Sequence, residues 1–209
     1  MIKTILWDFD GVILDSMKIK GDGFIELFKG YSKQDLAKIE KYHYENGGVS
    51  RFDKIKYFYN TIVKEEVEDE KILQLANEFS KIIEKNIYCK NNLIQDSVNF
   101  IKLNYKNYDF HIVSGAEHIE LNNLCKYFLL DKYFISINGS PLSKNILVKN
   151  LLKKYMFNSY ETILIGDSMS DYYASNESSI EFYGYNNIKL KKIDRYITSF
   201  NLFMKDKYE

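Results

Sequence analysis

Two aspartates follow a short apolar run near the start of the chain, in the segment Asp8-Phe9-Asp10-Gly11. In an extended backbone, residues two apart point the same way, so both carboxylates can face one pocket where a strand ends. Carboxylates this close repel each other unless a cation lies beside them, and their oxygens suit Mg²⁺. The pair therefore predicts a magnesium site, with an ordinary turn at Asp10-Gly11 as the alternative interpretation.

A second acidic pair follows another apolar run, in the segment Gly166-Asp167-Ser168-Met169-Ser170-Asp171. If a helix begins near Ser168, Asp167 lies at its mouth and Asp171 in its first turn, and both can face the same metal. We predict Asp167 as a metal ligand and Asp171 as a ligand or a support for one. The alternative is that Asp167 or Ser168 is an ordinary helix cap.

Two further segments offer groups that bind phosphate. Ser114 and Gly115 follow a β-prone run and supply a hydroxyl and unhindered backbone N–H groups near a predicted helix start, a common anion site. Lys144 follows a turn at the start of another predicted helix. The alternatives are a helix cap for Ser114 and a solvated surface charge for Lys144.

Strand and helix patterns alternate along most of the chain. The β-prone runs are residues 2–7, 110–113, 133–137, 163–165 and 180–183. Helical spacing occurs between them, at residues 98–103, 119–129, 146–156 and 170–175. This alternation predicts an α/β fold with a doubly wound parallel sheet, which binds ligands at the carboxyl ends of its strands.

A long helical insertion interrupts the alternation after the first strand. Between residues 16 and 88 we find no strand pattern, only helical patterns at 23–29, 33–46, 52–63 and 68–86. Gly21, Gly23 and Gly47-Gly48 are interpreted as turns within it or leading into it. We therefore predict a core domain of residues 1–15 and 89–209 and a helical cap domain of residues 16–88, packed over the carboxyl ends of the strands.

The composition favours a small-molecule partner. Lysine plus arginine equals aspartate plus glutamate, at 29 each, so no global field attracts nucleic acid or an anionic membrane. The two cysteines, Cys89 and Cys125, are far apart and show no ligand spacing, which fits free thiols in a reducing compartment. We find no signal peptide or membrane span and expect a cytoplasmic protein, monomeric or a small homo-oligomer.

Taken together and in this order, the four segments resemble the motifs of the haloacid dehalogenase superfamily of phosphohydrolases. Asp8-x-Asp10-Gly11 resembles the first motif, Ser114 the second, Lys144 the third, and Gly166-Asp167-x-x-x-Asp171 the fourth. The insertion is similar to the helical cap of phosphoglycolate phosphatases and β-phosphoglucomutases, on a Rossmann-like core. The third segment departs from the Lys-Pro-x-Pro form of those relatives, which leaves Lys149 as an alternative to Lys144.

This resemblance implies a phosphatase that forms an aspartyl-phosphate. Asp8 would be the nucleophile and Asp10 the general acid and base. Magnesium would be held by Asp8, the backbone carbonyl of Asp10 and Asp167, with Asp171 as a further ligand or a support. The phosphate would be bound by four residues, Gly11, Ser114, Gly115 and Lys144.

Substrate choice should depend mainly on the cap. The loop Gly47-Gly48-Val49-Ser50-Arg51 resembles the cap loop of the mutases, in which the arginine meets a second anionic group of the substrate. Arg51 is therefore the predicted specificity residue, with a surface arginine at a helix start as the alternative. The substrate would be a sugar, polyol or amino-alcohol phosphate, and no role is assigned to His43, His111 or His118. The alternative functions are a phosphomutase, a dehalogenase-like enzyme and a catalytically silent binding protein on the same scaffold.

Overall fold

The computed structural model describes residues 1–203, and the strands in this part of the chain form one parallel sheet. They are β1 (Thr4–Trp7), β2 (Asp109–Glu117), β3 (Ser136–Ser140), β4 (Thr162–Gly166), β5 (Glu181–Tyr185) and β6 (Arg195–Ile197). Their spatial order is β3-β2-β1-β4-β5-β6. The predicted doubly wound α/β fold is confirmed.

The central strand explains why the sheet is covered on both faces. Ile5 and Trp7 belong to one hydrophobic cluster, in which the Trp7 ring packs against Phe110 with centroids 5.5 Å apart. Leu6 belongs to the cluster on the opposite face, together with Val148 of a neighbouring helix. Successive residues of a strand point to opposite faces, so an unbroken apolar run is buried only when helices cover both.

Nine α-helices are present among residues 1–203. They are α1 (Met17–Leu27), α2 (Lys33–Glu45), α3 (Arg51–Tyr57), α4 (Asp69–Ile87), α5 (Gln95–Asn104), α6 (His118–Tyr127), α7 (Lys144–Tyr155), α8 (Met169–Glu177) and α9 (Phe200–Phe203). A π-helical segment, Phe58–Val63, continues directly from α3. None of the helices in the described range is long and apolar enough to span a membrane.

Helices α1 to α4 pack around aromatic side chains. The rings of Phe28 and Phe58 stack with centroids 3.7 Å apart, and those of Phe24 and Phe79 lie 4.4 Å apart. Helix α1 contains Gly21 and Gly23, so their interpretation as turns is wrong. At Gly23 an added Cβ would lie 2.5 Å from Ile83 of α4, which shows that close helix packing rather than a turn requires the small residue.

The largest differences from the predicted strands concern two boundaries and one whole strand. The strand expected at 133–137 begins only at Ser136, because residues 131–133 form a short 3₁₀ turn. β2 continues past Val113 to Glu117, pairing again with β3 after a shift in register. The short edge strand β6 was not predicted, since three residues carry no usable periodicity.

Candidate active site

Three carboxylates meet above the carboxyl ends of β1 and β4. One oxygen from each of Asp8, Asp167 and Asp171 lies within 4.8 Å of the others. Asp8 directly follows β1 and is only 1% exposed, whereas Asp167 and Asp171 flank the start of α8. Oxygen ligands at this spacing suit a divalent cation. The structure thus brings the two predicted acidic segments together, although the side chain of Asp10 lies outside the cluster.

The cluster carries more negative charge than its neighbours neutralise. Burial, and then the charge of Asp171, raises the pKa of Asp8 to about 7. Burial and the charge of Asp8 also raise the pKa of Asp167 well above its ordinary value. Oδ1 of Asp8 pairs with Lys144, whereas among the described residues its Oδ2 has no hydrogen-bond donor. A buried oxygen without a donor fits a group that must bind a metal or attack a substrate.

Lys144 is the cation that lies within this cluster. It begins α7, and its Nζ lies 2.9 Å from Asp8 Oδ1, close but not aligned as a hydrogen bond, and also contacts Asp171. Burial opposes its charge, but Asp171 and Asp8 raise the pKa of Lys144, so it remains an ammonium ion. The alternative, Lys149, is exposed and pairs with Glu177 at 3.0 Å, away from the cluster.

Asp171 is fixed by the start of its own helix. One of its oxygens accepts hydrogen bonds from the backbone N–H of Ser168 at 3.1 Å and from the Ser168 hydroxyl at 2.5 Å, within a capping box. Its other oxygen contacts Lys144. Asp171 therefore orients the lysine as well as lying within reach of a metal.

Asp10 is held by helix α1 rather than by the cluster. Its Oδ1 accepts a hydrogen bond of 2.5 Å from Ser16 Oγ, and its Oδ2 pairs with Lys20 Nζ at 2.5 Å. Burial alone would raise the pKa of Asp10, but the charge and hydrogen bond of Lys20, with the Ser16 hydrogen bond, bring it below its ordinary value. The carboxylate is therefore ionised at neutral pH and able to accept a proton. Ser16 and Lys20 were not predicted, although their i, i+4 spacing places them on one helix face.

The loop between α2 and α3 touches the core directly above the cluster. A Cβ added at Gly115 would lie 2.1 Å from the carbonyl oxygen of Gly48. Gly48 itself has a φ of +77°, and a Cβ there would lie 2.2 Å from Ser170 Oγ and 3.3 Å from Lys144 Nζ. The predicted cap loop is thus closed over Lys144, with no space for a side chain on either glycine.

Ser114 and Gly115 lie at the same end of the sheet as Asp8. Trp7 pairs with Ile112, so the residues that follow these two lie side by side. Ser114 is fully buried, and its Oγ accepts a hydrogen bond from the backbone N–H of Ala116 at 3.2 Å. The hydroxyl hydrogen therefore stays available to an anion at this level of the sheet.

Two asparagines after β5 fix the loops that carry the aspartates. Asn186 donates a hydrogen bond of 2.9 Å to the carbonyl of Gly11, and Asn187 donates one of 2.7 Å to the carbonyl of Asp167. Gly11 has a φ of +76°, which favours glycine at this turn. The asparagines were not predicted, because an isolated Asn-Asn pair after a strand also fits an ordinary turn.

Arg51 is buried, so its interpretation as a surface arginine is wrong. It is 5% exposed, pairs with Glu120 of α6 and donates a hydrogen bond of 2.5 Å to Ser80 of α4. Its guanidinium lies 4.9 Å from the ring centre of Phe79. The arginine therefore joins α3 and α4 to the core, and a carboxylate already matches its charge.

A small cavity of about 30 Å³ lies between helices α1 to α4 and the carboxyl end of β2, next to Asp10. It is lined by Asp10, Met17, Lys20, Phe24, His43, Gly48, Val49, Arg51, Lys54, Phe79, Gly115 and Ala116. The buried residues Lys20, His43 and Lys54 were not predicted as site residues. Lysine is so frequent in this chain that nothing in the sequence distinguishes Lys20 and Lys54 from the surface lysines.

His43 and Lys54 form a polar pair on the cap side of this cavity. His43 Nε2 lies 2.8 Å from the carbonyl oxygen of Met17 and must donate to it, so Nδ1 accepts from Lys54 Nζ at 3.1 Å. Burial, and then the charge of Lys54, lowers the pKa of His43 to about 3. Burial, and then the charge of Lys20, lowers the pKa of Lys54 to about 7.

The chain matches a family model over most of its length. Residues 5–185 match the model described as haloacid dehalogenase-like hydrolase. A search of curated proteins finds no match.

Several solved structures share the fold. β-Phosphoglucomutase from Clostridium difficile superposes with a TM-score of 0.79 at 17% identity, covering 100% of this chain and 97% of that one. A predicted phosphoglycolate phosphatase from Haemophilus somnus 129PT gives 0.74 at 16% identity, covering 99% and 98%. The HAD-hydrolase YfnB from Bacillus subtilis, solved bound to magnesium, gives 0.69 at 17% identity, covering 97% and 96%. At these identities the likeness concerns the fold.

Proposed function

Because the chain belongs to the haloacid dehalogenase-like hydrolase family, we propose that it is a magnesium-dependent phosphatase that hydrolyses a small phosphomonoester through an aspartyl-phosphate. The observation that carries the proposal is the carboxylate of Asp8. It is buried, its Oδ1 pairs with Lys144 Nζ at 2.9 Å, and among residues 1–203 no hydrogen-bond donor occupies its Oδ2. A nucleophilic carboxylate needs such a free oxygen beside positive charge.

Asp8 would attack the phosphorus in line with the departing ester oxygen. An Asp8 oxygen forms the new bond to phosphorus, and the bond to the ester oxygen breaks. The Lys144 ammonium, the Ser114 hydroxyl and the backbone N–H group of Gly115 would hold the remaining phosphoryl oxygens. The backbone N–H of Gly11, which was also predicted to bind phosphate, instead donates to the carbonyl of Leu14 at 2.8 Å. Donors fixed before the reaction stabilise charge that develops in the transition state.

The acidic cluster fits magnesium. The carboxylates of Asp8 and Asp167 and the backbone carbonyl of Asp10 would hold it, with Asp171 as a further ligand or as the support of Lys144. The raised pKa values of Asp8 and Asp167 support this assignment, since both carboxylates lack enough positive charge nearby. When bound, magnesium neutralises the negative charge that gathers between the phosphoryl oxygens and the carboxylates.

Asp10 would move the protons. The ionised carboxylate would take up a proton from solvent as the substrate binds, give it to the departing alkoxide, and later accept a proton from the water that hydrolyses the aspartyl-phosphate. Lys20 and Ser16 hold its carboxylate in position and ionised, the state required to accept a proton. Such general acid–base catalysis contributes roughly a hundred- to ten-thousand-fold in rate.

The cap would exclude water and select the leaving group. Its loop already lies over Lys144, and its helices line the cavity beside Asp10. A lid in this position limits the reaction to substrates that fit under it. We expect a sugar, polyol or amino-alcohol phosphate or a comparably small metabolite, handled in the cytoplasm without a nucleic-acid or membrane partner.

The first experiment is phosphate release from a panel of small phosphomonoesters, with magnesium and with a chelator. We expect magnesium-dependent release by the wild type and its loss, by about a thousandfold or more, in Asp8→Asn. Asp15→Asn changes an exposed aspartate of the same loop and should keep full activity. Appreciable release by Asp8→Asn, or release that persists in chelator, would contradict the mechanism.

The phosphomutase is the alternative function, favoured by the likeness to β-phosphoglucomutase. In a phosphomutase the phosphoryl group of the aspartyl-phosphate passes to another hydroxyl of the substrate, whereas in a phosphatase it passes to water. Isomerisation of a sugar phosphate that requires a catalytic amount of bisphosphate would indicate the mutase. Stoichiometric phosphate release without any bisphosphate would indicate the phosphatase.

A further inference from the structure

The charges around the cavity beside Asp10 are unevenly matched. Lys20 pairs with Asp10 at 2.5 Å, and Arg51 pairs with Glu120. Lys54 is only 4% exposed, yet among residues 1–203 no carboxylate pairs with it. A buried ammonium group without a counter-charge is unfavourable unless a partner arrives or the group loses its proton.

The surroundings of Lys54 fix its amine but leave it unsatisfied. His43 accepts one hydrogen bond from Nζ, at 3.1 Å, and its other nitrogen is engaged by the Met17 carbonyl. The ring of Phe24 lies 5.9 Å from Nζ. Among the described residues nothing accepts the other N–H groups of this ammonium, and Lys54 lines the cavity. The N–H groups of Lys54 that lack an acceptor among the described residues therefore lie at the cavity wall.

We propose that Lys54, oriented by His43, is the subsite for a carboxylate on the leaving group of the substrate. This inference rests on the proposed phosphatase function, because the cavity adjoins Asp10, which would protonate that leaving group. It also moves recognition of a second anion from Arg51 to Lys54, since Glu120 already neutralises the arginine. A bound anion would stabilise the ammonium form of Lys54, whose pKa is otherwise lowered to about 7.

The size of the cavity favours a carboxylate over a second phosphate. Its volume is about 30 Å³, which suits a planar carboxylate at the end of a short chain better than a bulkier tetrahedral phosphate. The substrate class is therefore the phosphate ester of a small hydroxy acid.

The test compares 2-phosphoglycolate with its carboxamide, which replaces the carboxylate by a neutral group of nearly the same size. Binding is measured by calorimetry in the Asp8→Asn background, which does not turn substrate over. We expect the carboxylate to bind at least about tenfold more tightly, since a charge-assisted hydrogen bond is lost in the amide. Adding Lys54→Met should bring the ratio close to one, whereas Lys56→Met, on the exposed face of the same helix, should leave it unchanged.

The outcomes separate this inference from the proposed function. Equal binding of the two probes, a preference that survives Lys54→Met, or binding of neither probe would overturn the subsite. If phosphate release from neutral esters is nevertheless observed, the phosphatase stands and only the subsite is wrong. If the carboxylate preference depends on Lys54 but no ester is hydrolysed by the wild type, the subsite stands and the phosphatase is wrong.

Discussion

The core side and the cap side of the site carry charge imbalances of opposite sign. On the core side, the carboxylates of Asp8, Asp167 and Asp171 surround one ammonium group, that of Lys144. On the cap side, Asp10 and Glu120 are outnumbered by the cations Lys20, Arg51 and Lys54. A metal ion bound with the substrate would offset the negative charge of the core side. An anionic group elsewhere on the substrate would offset the positive charge of the cap side.

The two imbalances have different physical effects. Burial, and then the charges of neighbouring carboxylates, raises the pKa of Asp8 and of Asp167, so added positive charge on the core side would be favourable. On the cap side the effect is concentrated in Lys54, because ion pairs already match the other cations. The core side could therefore hold the proposed metal, and the cap side could accept the proposed carboxylate of the substrate.

The largest expected effect comes from reducing the negative charge of the core side with Asp167→Asn. Activity should fall by about a hundredfold or more, because a metal ligand is weakened. Without metal, however, the variant should be more stable than the wild type by on the order of 1–2 kcal/mol, since one of the crowded carboxylates is gone. Phosphate release and thermal unfolding with and without magnesium measure the two effects.

Magnesium should raise the unfolding temperature of the wild type and have little effect on Asp167→Asn, because a ligand stabilises only the state that binds it. Asp15→Asn, at an exposed position, is the control for loss of charge alone. Equal stabilisation of all three proteins by magnesium would show that the cluster does not hold the metal.

The residues of the core side could be predicted from the sequence. Asp8, Asp167 and Lys144 follow strand ends or begin helices in an alternating pattern, and a parallel sheet brings such positions to one edge. The structure brings these three side chains together. The prediction for Ser114 was wrong in the extent of the strand, because pairing with β3 continues past a shift in register.

The cap side could not be predicted in the same way. Lys20, His43 and Lys54 come from three different helices and meet only through the packing of those helices. A helical pattern shows which face is apolar, but it does not show which polar side chain on that face is drawn inward. Gly21 and Gly23 illustrate the same limit, since they serve helix packing and not the predicted turns.

A smaller effect should follow from separating the two sides with Gly115→Ala. The added methyl group would lie about 2.1 Å from the Gly48 carbonyl oxygen, so the cap loop must move away from the core. We expect kcat/KM to fall by roughly ten- to a hundredfold, because small displacements of a catalytic arrangement are costly. Steady-state kinetics measure this, with circular dichroism to check the fold.

Gly30→Ala is the matched control, because a Cβ at Gly30 would have nothing within 4 Å. It should leave kcat/KM unchanged. If Gly115→Ala is as active as this control, the closed contact between Gly48 and Gly115 is not needed for turnover, and the two sides act independently.

The last expected effect is on stability rather than on turnover, and it concerns the cost of burying Lys54 and the dependence of that cost on pH. The folded-state pKa is about 7, below the ordinary value of 10.5. Between these values the unfolded state binds more protons, so this lysine makes stability rise with pH across that window. Below pH 7 the cost is fully present, and above about pH 10.5 it is gone.

Lys54→Met removes this contribution without opening a large cavity. The variant should be more stable than the wild type near pH 6, by at most about 5 kcal/mol for a pKa lowered from 10.5 to about 7, and the difference should shrink towards pH 10. Urea unfolding across this range measures it, with the exposed Lys56→Met as control. A difference that stays constant with pH would mean that Lys54 is not a buried, unmatched cation, and the cap side would then carry no surplus of positive charge for a substrate to balance.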